Sequence, residues 1–172
     1  MGFSFRASLI THVEDNMLVI PDDDLVMQWL DKMGESHFVC DACHGIHLSR
    51  LQSDATGLEG RVFVEDYGIL LTSEVAIRPS LMISLAGEMS NINAGYPFLK
   101  VFVDVVDQEL PRLVIANTLL VGKVGVNFDQ FQLFLETTVM AAEEIFSEAR
   151  EFVWDEDTVS DPVSAIRRSA MH

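Results

Sequence analysis

The 172-residue chain lacks the motifs that commonly mark an enzyme. Its glycines, Gly57, Gly60 and Gly68 among them, never form the G-x-G-x-x-G phosphate loop, and neither G-K-[ST] nor the nucleophile elbow G-x-S-x-G occurs. Carboxylate pairs such as Glu65-Asp66 are interpreted as solvated strand ends, because adjacency in sequence does not make an acid/base pair. We therefore predict no catalytic residue.

Basic residues are also scarce. Eleven Lys and Arg stand against 27 Asp and Glu, which gives a net charge of −16. Such a field repels phosphate backbones and anionic lipids, so we predict no direct nucleic-acid binding and no membrane association. No run approaches the roughly 18 apolar residues that suggest a membrane span. The acidity is explained either by solubility or by a surface that recruits a basic or amphipathic protein.

An export signal is missing from the first 20 residues. The apolar block there runs only from residue 7 to residue 10 before His12 and Glu14 interrupt it, far short of a signal-peptide core. We therefore expect a cytoplasmic protein with reduced thiols. Covalent haem attachment at the C-x-x-C-H run Cys40 to His44 requires export, so a c-type haem is not expected.

The two cysteines leave two other chemical interpretations. Cys40 and Cys43 could bind a metal together with His44 or His47, or they could form a reversible disulfide. A second C-x-x-C is missing, and alternation along a strand places His37 and Cys40 on opposite faces. The neighbouring Asp41 would not lower a thiol pKa. We therefore expect no metal or cofactor, and we interpret the thiols as parts of a β-hairpin.

Periodicity and capping residues predict three helices and an antiparallel sheet. Asp22 begins a helix that Gly34 ends, Pro79 begins a second helix that dissolves from Asn91 onward, and a third runs from about 127 to 152. Strand patterns lie at 37–40, 46–48, 61–64, 69–71, 98–106 and 113–121. We summarise this as an α+β domain of order α-β-β-β-α-β-β-α.

Domain boundaries follow from composition. Residues 1–16 are predicted to be a flexible extension or leader, residues 17–153 a single domain, and residues 154–172 a flexible acidic tail. Phenylalanines of the third helix are interpreted mainly as core, although their wide apolar stripe would also suit a dimer seam. The second helix and the strand after it offer an alternative seam. The residues proposed for a dimer or partner surface are Leu81, Leu85, Met89, Phe98, Phe128, Phe131 and Phe134.

Several stretches together resemble the enterobacterial YbjN family, which includes AmyR-like regulators. They are Gln28 to Gly34, Phe38 to Cys43 with Ile46 to Leu48, Val75 to Ser80, Leu85 to Ala94 and Asp107 to Val114. The similarity runs from about residue 18 to 150 with order and spacing maintained. Residues 1–16 have no counterpart in the pattern.

The resemblance implies a fold like that of class I type III secretion chaperones, usually as a homodimer. It also implies a non-enzymatic regulator of stress response, motility, exopolysaccharide and virulence that acts through an unknown protein partner. Two alternatives stay open: a redox- or zinc-responsive switch at Cys40 and Cys43, and a chaperone-like effector binder, the latter by analogy of fold alone.

Overall fold

A computed structural model describes residues 17–53, 57–106 and 109–154. The first helix, α1 (Asp23–Met33), begins where the Asp22 side chain accepts a hydrogen bond from the Leu25 backbone N–H. It ends at Gly34, whose φ of 75° lies in the left-handed region that glycine tolerates. Both predicted ends are confirmed. The predicted leader 1–16 and most of the predicted tail, 155–172, lie outside the described residues.

Six strands and two further helices complete the described chain. The helices are α2 (Met82–Gly95), which follows a 3₁₀ turn at Pro79–Leu81, and α3 (Phe128–Glu148). The strands are β1 (His37–Val39), β2 (Ile46–Ser53), β3 (Leu58–Glu65), β4 (Gly68–Ala76), β5 (Lys100–Asp104) and β6 (Arg112–Leu120). Asn127 caps α3 with a reciprocal capping box to Gln130.

The strands form one antiparallel sheet in the order β1-β2-β3-β4-β6-β5. The α+β class with an antiparallel sheet and three helices is confirmed, but four strands precede α2 where the predicted order has three. The four strand patterns predicted before α2, at 37–40, 46–48, 61–64 and 69–71, each correspond to a strand, so the difference lies in the summarised order and not in the patterns. The likeness to secretion chaperones stays a prediction.

Several predicted boundaries differ from the structure: β2, β3 and β4 are longer than predicted, and the ends of α2 and β5 differ for tertiary reasons. α2 continues to Gly95 because Asn93 donates to the backbone oxygens of Met89 and Val101 and accepts from the Val101 N–H. β5 spans only Lys100–Asp104 of the predicted 98–106, because its ladder with β6 ends at Asp104, and Val105 beyond it is 62% exposed.

All three helices pack on one face of the sheet. One part of the core joins α1 and the first half of α3 to β2, β3 and β4. The other joins α2 and the second half of α3 to β4, β5 and β6. Within residues 17–53, 57–106 and 109–154, no helix covers the opposite face, which we call the open sheet face. In the same residues, every helix is too short or too polar to cross a lipid bilayer.

Candidate functional site

The cysteines lie on the turn that joins β1 to β2. The Cys40 N–H donates to the Gly45 carbonyl at 3.0 Å, and the His44 N–H donates to the Cys40 carbonyl at 2.8 Å. His44 has a φ of 56°, in the left-handed region that non-glycine residues seldom adopt. At Gly45 a Cβ would lie 2.8 Å from the Phe63 ring, so a glycine lets the turn fold closely against β3. The turn predicted at 41–45 is confirmed.

Three of the candidate side chains meet beside this turn. The Cys43 Sγ lies 3.3 Å from Nε2 of His47, and the ligand atoms of Cys40, Cys43 and His47 all lie within 4.8 Å of one another. Both thiols are half-buried and His47 is buried. The remaining candidate, His44, is outside this group, as is His37, whose Nδ1 lies 3.0 Å from the Glu35 carbonyl oxygen.

The imidazole of His47 is held on both sides. The Phe38 ring stacks on it with centroids 4.9 Å apart and planes 21° apart. Its Nδ1 lies 3.1 Å from the side-chain amide nitrogen of Gln52. Gln52 carries both a donor and an acceptor, so its amide orientation selects which imidazole nitrogen holds the proton. Neither partner was expected from the sequence. The stacking of Phe38 on His47 could have been predicted from the pairing of these two residues across the hairpin, whereas no sequence pattern predicted the contact with Gln52.

The surroundings shift both ionisable groups. Hydrogen bonds from the backbone N–H of Cys43 and then of Ala42 lower the pKa of the Cys40 thiol, against the opposing effect of Asp41. The sequence reveals only Asp41 among these influences, because the fold of the turn decides where the backbone donors lie. Burial, followed by the charge of Arg61, lowers the pKa of His47. A thiol and an imidazole whose pKa values are both lowered can together bind a soft or borderline metal, and such a thiol can also undergo oxidation.

The open sheet face carries an apolar groove at its other end. The groove has a volume of about 660 Å³, and Phe98, Lys100 and Phe102 form one side of it. Across it lie Tyr67 and Leu120. Phe98 is 50% exposed, Phe102 38% and Leu120 74%. Large apolar side chains clustered in this way mark interaction surfaces more often than isolated ones do.

The open sheet face also connects the groove to the thiols. His47 pairs with Arg61 across β2 and β3, and Arg61 pairs with Thr72 across β3 and β4. Directly opposed residues of neighbouring strands share a face, so His47 lies on the open sheet face. Between the two ends, Arg61 and Arg112 both form ion pairs with Glu74.

The structure divides the residues predicted for a dimer or partner surface. Phe98 is exposed, and Leu81 and Met89 are half-buried. The other four are buried within this single chain: Leu85, Phe128, Phe131 and Phe134. The core interpretation of the three phenylalanines is therefore confirmed, and these four side chains offer a partner little surface, because they fill the space between helices and sheet. Whether the chain dimerises stays a prediction.

Comparison with known proteins gives one consistent family. The model of the YbjN family, described as "putative bacterial sensory transduction regulator", matches residues 22–151. "Uncharacterized protein YbjN" of Escherichia coli K12 is 37% identical over 118 residues, which cover 69% of this chain and 74% of that protein, and the protein of that name in Shigella flexneri matches equally. The crystal structure described as "YbjN, a putative transcription regulator from E. coli" has a TM-score of 0.75 at 33% identity. It covers 81% of this chain and 99% of the other.

Proposed function

The chain belongs to the YbjN family, and from this premise we propose that it is a non-enzymatic bacterial regulator that acts by binding other proteins. The family description supports a regulatory role in coarse terms. Its finer content is our proposal: a cytoplasmic protein that takes part in stress response, motility, exopolysaccharide production and virulence.

The observation that carries the proposal is the apolar groove on the open sheet face. Its rim residues Phe98, Phe102 and Leu120 are exposed aromatic and aliphatic side chains. The core does not require them, because the helices and the opposite face of the sheet already enclose it. Burying such side chains against a partner contributes roughly 25 cal/mol per Å² of apolar area before the costs of association.

Charge narrows the class of partner. The net charge of −16 disfavours contact with nucleic acid, although the E. coli relative is described as a putative transcription regulator. We therefore propose that regulation is indirect. The lining of the groove is mainly apolar and the chain is strongly acidic, so an amphipathic protein segment with basic flanks would complement it. We retain the homodimer as a proposal. Binding of a secreted effector is a weaker variant, because it depends on the chaperone-like fold alone.

A second candidate function is a redox- or zinc-responsive switch. The specific observation that favours it is the approach of the Cys43 Sγ to within 3.3 Å of Nε2 of His47, with Cys40 in the same cluster. His47 lies on the open sheet face, so oxidation or metal binding at the thiols would alter the same face of the sheet that carries the proposed partner groove. This candidate adds an input signal to the first and does not replace it.

The test uses a deletion strain of the source bacterium, assayed for motility and exopolysaccharide. We expect the wild-type gene to restore both phenotypes, and the double variant Phe98→Ser/Phe102→Ser to fail although the purified protein folds. Ile83→Ser is the matched control, because Ile83 is 82% exposed on α2 and does not line the groove.

Two results would count against the proposal. One is full restoration by the double variant, which would show that the groove has no regulatory role. The other is turnover of a small substrate by the purified protein with no protein partner recovered. Sedimentation of wild type and double variant at several concentrations tests the homodimer separately.

A further inference from the structure

Cys40, Cys43 and His47 form a preorganised set of metal donors: two sulfurs and an imidazole nitrogen within 4.8 Å of one another. We propose that these three side chains bind a zinc ion. The inference deepens the zinc-responsive switch proposed above and concerns binding alone. It can therefore fail while the regulatory function of the groove stands, and the groove variants can fail while zinc still binds.

The separation of one donor pair fits tetrahedral zinc. Bonds of about 2.3 Å to sulfur and about 2.05 Å to nitrogen place the two ligand atoms about 3.5 Å apart at the tetrahedral angle. Cys43 Sγ and His47 Nε2 are already 3.3 Å apart. The chemistry of the donors also favours zinc, because two thiolates and an imidazole bind zinc in preference to magnesium or calcium, which prefer oxygen ligands. A C-x-x-C turn supplies both sulfurs from one short stretch of backbone.

The outer contacts of His47 support a ligand role. A zinc-bound imidazole almost always donates its other N–H to an oxygen, which fixes the ring and its tautomer. In the structure the Gln52 side-chain nitrogen faces Nδ1 at 3.1 Å, a placement in which Nδ1 accepts and Nε2 carries the proton. Turning the Gln52 amide over brings its oxygen to Nδ1, so that Nδ1 donates and Nε2 presents a lone pair toward the thiols. Zinc binding at Nε2 requires this second orientation. Stacking on Phe38 holds the ring plane.

Three protein donors leave one tetrahedral position. In the described part of the chain no fourth His, Cys, Asp or Glu belongs to the cluster, so water or an external ligand would take that position. Both thiols are half-buried, and an ion can therefore reach them from solvent. Such a site exchanges zinc more readily than a closed four-ligand site. Binding would displace the thiol protons into solution.

The experiment uses the full chain without a polyhistidine tag, reduced and stripped with a chelator that is then removed. Zinc is titrated in competition with a chromophoric chelator, and cobalt(II) is added separately as a spectroscopic substitute. We expect one zinc per chain, together with the sulfur-to-cobalt charge-transfer band and the intense visible bands of tetrahedral thiolate coordination.

Variants identify the ligands. Cys40→Ser/Cys43→Ser should abolish zinc binding and the charge-transfer band, while His44→Gln, next to Cys43 but outside the cluster, should leave both unchanged. Gln52→Ala should lower zinc affinity by about 10- to 100-fold, as expected for loss of an outer-shell partner. Circular dichroism checks the fold of each variant. Because His47 is buried, Gln52→Ala keeps the test decisive if His47→Gln unfolds the chain.

Three results would overturn the proposal. Zinc binding that survives in the double cysteine variant would place the metal elsewhere. A cobalt spectrum without a charge-transfer band would exclude thiolate ligands. A reduced chain that binds no zinc but loses both thiols to a mild oxidant would show that the cluster performs disulfide chemistry instead.

Discussion

Truncating Phe131 to alanine separates a residue of the monomer core from one of a dimer seam. Phe131 is fully buried, and its ring lies 5.1 Å from that of Trp29. Replacing a buried Phe by Ala costs about 3–5 kcal/mol, and an aromatic pair contributes about 0.5–1.5 kcal/mol beyond its buried area. We therefore expect the free energy of unfolding to fall by about 4 kcal/mol, a large part of the roughly 5–15 kcal/mol of a typical domain.

Urea unfolding followed by far-ultraviolet circular dichroism measures this change. With a slope of about 2 kcal/mol/M, the midpoint should fall by about 2 M. Leu133→Ala is the matched control, because Leu133 lies two residues further along α3 and is 64% exposed. Its effect should stay within about 0.5 kcal/mol.

Protein concentration supplies the decisive comparison. A core residue of the monomer gives the same loss at every concentration, whereas a seam residue gives a loss that depends on concentration, because dimer dissociation is part of the equilibrium. If Phe131→Ala were as mild as Leu133→Ala, or if its effect disappeared on dilution, the placement of Phe131 in the monomer core would be refuted.

Three further predictions concern single side chains. Burial and Arg61 lower the pKa of His47 below its ordinary 6.5, so the unfolded chain binds more protons than the folded chain. Metal-free wild type should therefore lose stability as pH falls below 6.5, and His47→Gln should flatten that pH dependence in urea titrations. An unchanged pH dependence in the variant would contradict the burial argument. Asn93→Ala should lower the free energy of unfolding by about 1–3 kcal/mol, because it leaves the N–H of Val101 on the edge strand β5 without its partner. Asn91→Ala, at an exposed position of the same helix, is the control in thermal or urea unfolding. Equal effects of the two substitutions would show that the hydrogen bond from Val101 to Asn93 does not stabilise the fold. Asn127→Ala should lower the free energy of unfolding by about 1 kcal/mol because it removes the side-chain cap of α3. Asn127→Gly should lower it by less, because glycine is better tolerated than alanine at the N-cap. A larger loss for glycine than for alanine would rule out capping as the cause.

Local signals were sufficient for much of the fold. The predicted caps at Asp22 and Gly34 are confirmed because a cap acts within three or four residues of its own helix, and the predicted start of α3 near 127 coincides with the Asn127 cap found in the structure. The hairpin turn at 41–45 is also local, closed by backbone hydrogen bonds from Cys40 and His44. Local patterns were insufficient where a distant strand decides the outcome. At the end of α2, Asn93 bonds to Val101 of β5, a contact that cannot be read from the helix alone.

The candidate site shows the same division. The sequence by itself determined the family, the class of fold, the acidic charge and the presence of two thiols and three histidines near one turn. Only the tertiary structure decided that His47, and not His37 or His44, meets the thiols, and that the open sheet face joins them to an apolar groove. The physical reason is register: an irregularity in the pairing of β2 with β3 lies between His47 and Gln52, and strand pairing, which depends on distant residues, sets the face that each side chain occupies.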